Sequence, residues 1–215
     1  MSTNELLSEE QMDFLREMVN IGAGNAADAF SQMLHTTVDL SIPDVYIFPS
    51  TKPPPFLKDP AVPFAGTSME MVGDVRGRLF FLVLDEQKNR LIGLIEKAMP
   101  GGENRGGVGI DLSVLEELAN ILAGVFLVSI HDFCRLNVYH SVPDLKTDMI
   151  QSLIEESIAG VLRETAQIIL IESSFVIVGE NIRTYFLIVP DLESTRKLVT
   201  SIEDARKEMY GNEED

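Results

Sequence analysis

The sequence predicts an α+β fold. One domain over residues 1–215 is a pseudo-twofold tandem repeat of an α-β-β-β-α unit, its strands forming one continuous antiparallel sheet flanked by helices. Three observations predict it. First, the pattern Asp13-x3-Glu17-x2-Asn20-x22-Pro43 recurs one hundred residues later as Ser113-x3-Glu117-x2-Asn120-x22-Pro143. With each residue type at roughly one in twenty to one in ten positions, a match arises about 10⁻⁵ to 10⁻⁴ times per starting point. Second, the agreement extends beyond the motif. Leu15 matches Leu115, Ile21 matches Ile121, Ala23-Gly24 matches Ala123-Gly124, and Ser41-Ile42-Pro43-Asp44 returns as Ser141-Val142-Pro143-Asp144. Third, a glycine-rich stretch at 100–110 separates two units, about 8–99 and 111–209.

The elements follow in order. Ser8-Glu9-Glu10-Gln11 has the form of a capping box, with Leu7 and Met12 placed as a hydrophobic staple, so a helix is expected from Glu9 to Leu34. Thr36 to Pro49 alternates and is β-branched, the signature of a strand. Lys52 to Pro60 carries four prolines and is a loop. Val62–Val75 and Arg76–Leu84 read as strands meeting near Gly73-Asp74. Asp85–Met99 reads as a helix with Asp85 as its N-cap, stopped by Pro100-Gly101-Gly102. In the second unit a helix is expected from Leu112 to about Leu136 and a strand over Asn137–Val142. An added short helix is expected over Thr147–Glu156. Two strands, Gln167–Val178 and Ile182–Val189, meet at Gly179, and a helix over Asp191–Met209 closes the chain.

Composition excludes several functions. The formal net charge of −17 argues against nucleic acid, which needs a basic footprint, and against anionic lipid. The single cysteine, Cys134, leaves no internal disulfide, which fits a reducing cytoplasm. Met1 to Ser8 is polar and acidic with no signal-peptide core, and no apolar run reaches the ~18 residues of a membrane span. Residues 121–130 are expected to be part of a packed helix.

The chemistry-bearing residues share one helical face. At about 100° per residue, Asp13, Glu17, Asn20 and Gly24 form one stripe, opposite an apolar stripe of Leu15, Met18, Val19, Ala26, Phe30 and Met33. Ser113, Glu117, Asn120 and Gly124 repeat it, opposite Leu115, Leu118, Leu122, Val125, Phe126 and Phe133. Ser129 interrupts the second apolar stripe, where a helix carbonyl would satisfy its hydroxyl. A solvated helix face would also carry Glu and Asn, and Ser113 followed by Glu116 would also suit a cap. Two details favour a docking face. Asn is a poor residue inside a helix, yet both units place it there, and each is followed a turn later by glycine, also costly mid-helix. A small residue at Gly24 and Gly124 lets another backbone approach closely.

This face holds no nucleophile. The three histidines, His35, His131 and His140, have no metal-ligand spacing, and no Lys/Arg cluster is present to hold a phosphoryl group. Gly22-Ala-Gly24-Asn-Ala-Ala27 imitates a dinucleotide-binding motif but lies inside a helix and follows no strand. Such a face can still complete a reaction whose charged machinery belongs to a partner: a carboxamide can orient an attacking water, and a carboxylate can pair with a partner's lysine.

On these residues the chain resembles the CheC family of chemotaxis phosphatases, whose motif, Asp/Ser-x3-Glu-x2-Asn-x22-Pro, both units match at every position. Asn20-Ile-Gly-Ala-Gly-Asn-Ala-Ala27 is also typical of that family. The resemblance implies removal of the phosphoryl group from phosphorylated CheY. Asn20 and Asn120 would orient water, and Glu17 and Glu117 would contact the lysine of CheY. The Mg²⁺ would be that of CheY, with no cofactor of the chain's own. Pro43 and Pro143 would be architectural, setting a strand end. The resemblance also implies binding of the receptor deamidase CheD through the extra helix of the second unit, with Asp148 the candidate contact. The rival reading is a non-catalytic adaptor for CheD, or a flagellar-switch-like scaffold for phosphorylated CheY. Val125 and Val128 stand where the first unit has Asn25 and Asp28, so the two sites are expected to differ. The oligomeric state is left open, and a monomer is consistent with an internal duplication.

Overall fold

Ser8 starts the first helix as its sequence suggests. Its hydroxyl accepts from the Gln11 backbone N–H at 3.2 Å, and the Gln11 side chain accepts from the Ser8 N–H at 2.8 Å. Leu7 and Met12 both join the apolar core beneath. The computed structural model describes residues 6–49, 62–98, 113–149, 152, 167–177 and 179–211. Its elements are α1 (Glu9–Leu34), β1 (Val38–Pro49), β2 (Pro63–Gly73), β3 (Gly77–Leu84), α2 (Asp85–Ala98), α3 (Ser113–Cys134), β4 (Val138–His140), β5 (Asp144–Met149), β6 (Gln167–Ile177), β7 (Glu180–Pro190) and α4 (Leu192–Tyr210).

The seven strands form one sheet in the order β1-β6-β7-β3-β2-β4, with β5 beside β4 on the same edge of β2. All the pairings are antiparallel. Strands from the N-terminal and C-terminal halves of the chain therefore interleave: β1 pairs with β6, and β3 with β7. Alternate residues face opposite sides, so Leu79 and Phe81 enter one apolar cluster and Phe80 and Leu82 the other. The first cluster takes the buried faces of all four described helices, including Phe30, Leu91, Leu115 and Ile202. In the second, every buried member comes from a strand.

Several expectations need correction. Residues 147–149 are not helical; they belong to β5, which pairs with β2 from Pro63 to Ser68. The short β4 covers only Met71–Gly73 of that edge, so a helix starting at Thr147 would leave the N–H and C=O groups of β2 at Pro63–Ala65 without strand partners. Beyond Met149 only Ser152 is described within the expected helix, and it is helical. The strand expected over Asn137–Val142 is confined to Val138–His140 and breaks before Pro143. Asp85 is the first helical residue of α2, its carboxylate 2.7 Å from Lys88 Nζ. The proline-rich loop at 52–60 and the linker at 100–110 lie outside the described residues. Asp191 does cap α4, accepting from Ser194 N–H at 2.7 Å.

As expected, no uninterrupted apolar run reaches ~18 residues; α3 as a whole is nonetheless long and apolar enough, by length and composition, to cross a bilayer. Here it is a core helix, with Leu115, Ala119 and Ala123 fully buried against the rest of the protein.

Candidate functional site

α1 and α3 lie side by side and antiparallel. Phe14 stands edge-on to Phe133 with centroids 6.0 Å apart, and two turns further along α1 a Cβ added at Gly22 would lie 2.8 Å from Ser129 Oγ. Ser129 is buried, and its hydroxyl donates to the Val125 carbonyl at 3.2 Å, as its place on the apolar stripe required. The close approach between these helices is thus at Gly22. Gly24 and Gly124 would present a Cβ to nothing within 4 Å among the described residues, so their small size leaves room on the outer surface.

The two motif stripes point outward. Asp13, Glu17, Asn20 and Gly24 are exposed on α1; Ser113, Glu117 and Asn120 are exposed on α3, with Gly124 half-buried. The Asn20 and Asn120 carboxamides have no hydrogen-bond partner among the described residues. The antiparallel packing puts Glu117 level with the last turns of α1, so the two stripes are about 20 Å apart along the pair.

Their surroundings differ. On the first stripe Asp13 is paired with Arg16 at 3.0 Å, and the same guanidinium reaches Asp44 at 3.8 Å. Arg16 therefore links the start of the motif to its end, beside Pro43. Glu116 occupies the equivalent place in α3 and cannot make that link. Pro43 does not end a strand as expected; β1 runs through it at a register shift between Ser41 and Asp44. A bulge tolerates a residue with no N–H to donate. Pro143 does fall in a break, between β4 and β5.

Glu17 is also engaged from the far end of the chain, for Tyr210 Oη donates to its Oε2. Nothing in the spacing of the sequence signals this, because the partners are 193 residues apart. The Tyr210 ring is edge-on to Phe14, and α4 is further tied to α1 by Gln11 Nε2 to Glu203 at 3.1 Å and by Arg206 to Glu10 at 3.1 Å. Glu17 holds the tyrosine proton more firmly and raises its pKa. Arg206 and Lys207 hold the Glu203 carboxyl down at about 2. Glu117 has no such partner among the described residues.

Instead, an open groove of about 450 Å³ adjoins the second stripe, lined by Gly124, Val128, His131, Tyr139 and His140 among others. Val128 and Tyr139 are large apolar side chains left exposed in its lining. His131 is exposed, and His140 Nδ1 is 2.9 Å from the Ser141 carbonyl. His35 closes α1 in the left-handed region with φ 52°. Among the described residues no three His, Cys, Asp or Glu side chains gather as a metal site. Cys134 is buried, which pushes its thiol pKa to about 11, far from a working nucleophile. Asp148 lies on strand β5 and not on a helix, exposed, its carboxylate accepting from the Met149 N–H at 2.7 Å.

Such a surface defines a class: a helix-on-sheet protein with an exposed carboxamide, unengaged by the described residues, beside a carboxylate on an outward helix face. The chain belongs to the CheC-like family, whose model matches residues 10–47 and 110–146, the stretches carrying α1 with most of β1 and α3 with β4. It is 31% identical over 199 residues to the CheY-P phosphatase CheC of Bacillus subtilis (strain 168), covering 91% of this chain and 95% of that protein. The fold is shared with Thermotoga maritima FliY, with a TM-score of 0.68, 18% identity, and 93% and 98% of the two chains covered. It is also shared with the FliM middle domain of H. pylori, with a TM-score of 0.61, 12% identity, and 91% and 99% covered.

Proposed function

We propose that this protein is a cytoplasmic chemotaxis phosphatase that hydrolyses the phosphoaspartate of CheY at two pseudo-equivalent sites. The observation that carries the reading is the pair of exposed Glu–Asn faces whose carboxamides are unengaged by the described residues. The named relative, a CheY-P phosphatase, supports it. Asn20 or Asn120 holds a water by its amide, in line with the scissile bond. The water oxygen bonds to phosphorus, the P–O bond to the aspartate breaks, and the carboxylate leaves with the bonding pair as inorganic phosphate forms. Glu17 or Glu117 pairs with the lysine of CheY and fixes that alignment, a contribution of positioning and not of new reactive groups. The metal that neutralises the phosphoryl oxygens is the Mg²⁺ of CheY.

We further read the chain as one domain made of two copies of a single unit, acting as a monomer. Several features support this. The strand order reads the same from either end when β1, β2 and β3 are exchanged for β4/β5, β6 and β7. The family model matches twice. The residues closing α1 and α3, His35 and Arg135, both adopt positive φ one hundred positions apart. CheD binding is proposed to use the exposed edge strand β5 around Asp148, so Asp148→Lys is expected to weaken CheD capture while leaving hydrolysis unchanged.

The test is the decay of phosphorylated CheY with Mg²⁺, comparing wild type, Asn20→Ala, Asn120→Ala and the double variant. Wild type should hasten decay, and the double variant should bind without hastening it. Binding by wild type with no acceleration would sink the phosphatase reading and leave the adaptor.

A further inference from the structure

We propose that Tyr210 is a positioning residue for Glu17, so that the closing helix α4 organises the first site alone. The inference rests on the phosphatase reading, in which Glu17 meets a lysine of the regulator. A tyrosine hydroxyl has one proton to give, and it is directed at Oε2 of Glu17. A carboxylate accepts through both oxygens, so Oε1 stays available to a cation from outside. No Lys or Arg among the described residues pairs with Glu17 to compete for it.

The hydroxyl is held where it is by more than its own bond. Arg206 on Glu10, Glu203 on Gln11 and Tyr210 on Phe14 anchor α4 along successive turns of α1, ending at Glu17. An exposed glutamate samples several rotamers, and a partner that captures it must freeze them. Fixing one oxygen beforehand removes part of that cost, which is what preorganisation means for affinity. Tyr210 itself touches no reacting atom in this scheme. In the second half α2 is described only to Ala98, and no described residue reaches Glu117. The two copies of the motif thus differ in how firmly the carboxylate is set before a partner arrives.

The experiment isolates the first site in a background carrying Glu117→Ala and Asn120→Ala, which removes both the contact and the water-holding group of the second, and compares Tyr210, Tyr210→Phe, Glu17→Ala and the two changes combined. Phenylalanine keeps the ring against Phe14 and removes only the donor. Two readouts are taken: KM and kcat for decay of phosphorylated CheY, and the affinity for CheY carrying Mg²⁺ and beryllofluoride, a non-hydrolysable stand-in for the phosphoryl group. Tyr210→Phe should raise KM and weaken the affinity by about three- to tenfold, the scale of ordering one rotamer-rich side chain. It should leave kcat and the melting temperature unchanged, and it should have no effect once Glu17 is alanine. Unchanged KM and affinity in Tyr210→Phe would overturn the proposal, as would an equal loss in the Glu17→Ala background, which would mark a purely structural role. If wild type itself binds the beryllofluoride form but never hastens decay, the phosphatase reading fails while the affinity arm still decides the part played by Tyr210.

Discussion

The two ends of the α1–α3 pair carry the same motif in different settings. At the first, Glu17 is held by Tyr210, and Asp13 is joined to Asp44 through Arg16. At the second, Glu117 stands alone among the described residues, and an open groove with exposed Val128 and Tyr139 in its lining begins at Gly124, two turns further along α3. Two helices can therefore carry the same Glu–Asn spacing while the contacts around it differ. The pair itself needs only helical spacing; the surroundings depend on which other element arrives. A polar, tied site is set before its partner binds, whereas an open apolar one gains its contacts from the partner.

The largest effect expected is on the reaction. In Asn120→Ala the first site works alone, and in Asn20→Ala the second does. Each substitution should slow its own site by about 100-fold, the scale of losing one directed polar group in a transition state. Single-turnover decay then ranks the two sites, and equal residual rates would break the comparison.

Next comes the packing that holds both sites in one frame. Gly22→Val would push a side chain into Ser129 and drive α1 from α3, at a cost of about 1–3 kcal/mol for overpacking, read as a lower denaturation midpoint. Gly24→Ala meets nothing within 4 Å and should gain about 0.5–1 kcal/mol from helix propensity. If a regulator backbone comes close there, the same alanine weakens CheY binding as it raises stability. A gain in stability with unchanged binding would remove Gly24 from the docking face.

The apolar rim is tested by making the second site resemble the first. Val128→Asp installs the residue found at position 28, on a side chain that is 55% exposed. In a background carrying Glu17→Ala and Asn20→Ala, which silences the first site, it should weaken regulator binding by roughly tenfold, about 1.4 kcal/mol, with the melting temperature unmoved. An unaltered affinity would mean that the rim takes no part in docking.

These predictions separate what the sequence made legible from what it did not. The capping box at Ser8, the outward stripes and the carbonyl-bonded Ser129 were readable because helical periodicity and local hydrogen bonds involve neighbours a turn apart. β5 was misread because β propensity depends on having an edge to join, and the free edge of β2 lies some eighty residues upstream. Tyr210 could not be found from spacing at all. Its partner lies at the other end of the chain, and only the packing of α4 on α1 brings the two together. Arg16 carries no signal of its own in the sequence; β1 brings Asp44 beside it.

The smallest effect separates the supports of the two ends by pH. Beside the first site, Glu203 is held at about 2 by Arg206 and Lys207, below the ordinary 4.5. Toward the second, Asp74 is held at about 2, below 3.8, by Lys197 of α4 and by the backbone N–H of Asn137, a residue of the groove. A carboxyl depressed on folding contributes stability above its unfolded pKa and loses it as pH falls through the folded one, so both contributions fade between about pH 4.5 and 2. Melting temperature followed down that range should fall less steeply in Glu203→Gln and in Asp74→Asn than in wild type. Both pairs are near the surface, so high salt should flatten the wild-type profile in the same way. If only Glu203→Gln flattens the curve, acid acts on the α4–α1 clamp at the first end; if only Asp74→Asn does, it acts on the tie beneath the groove. The difference between the two ends would then be measurable in stability without any partner present.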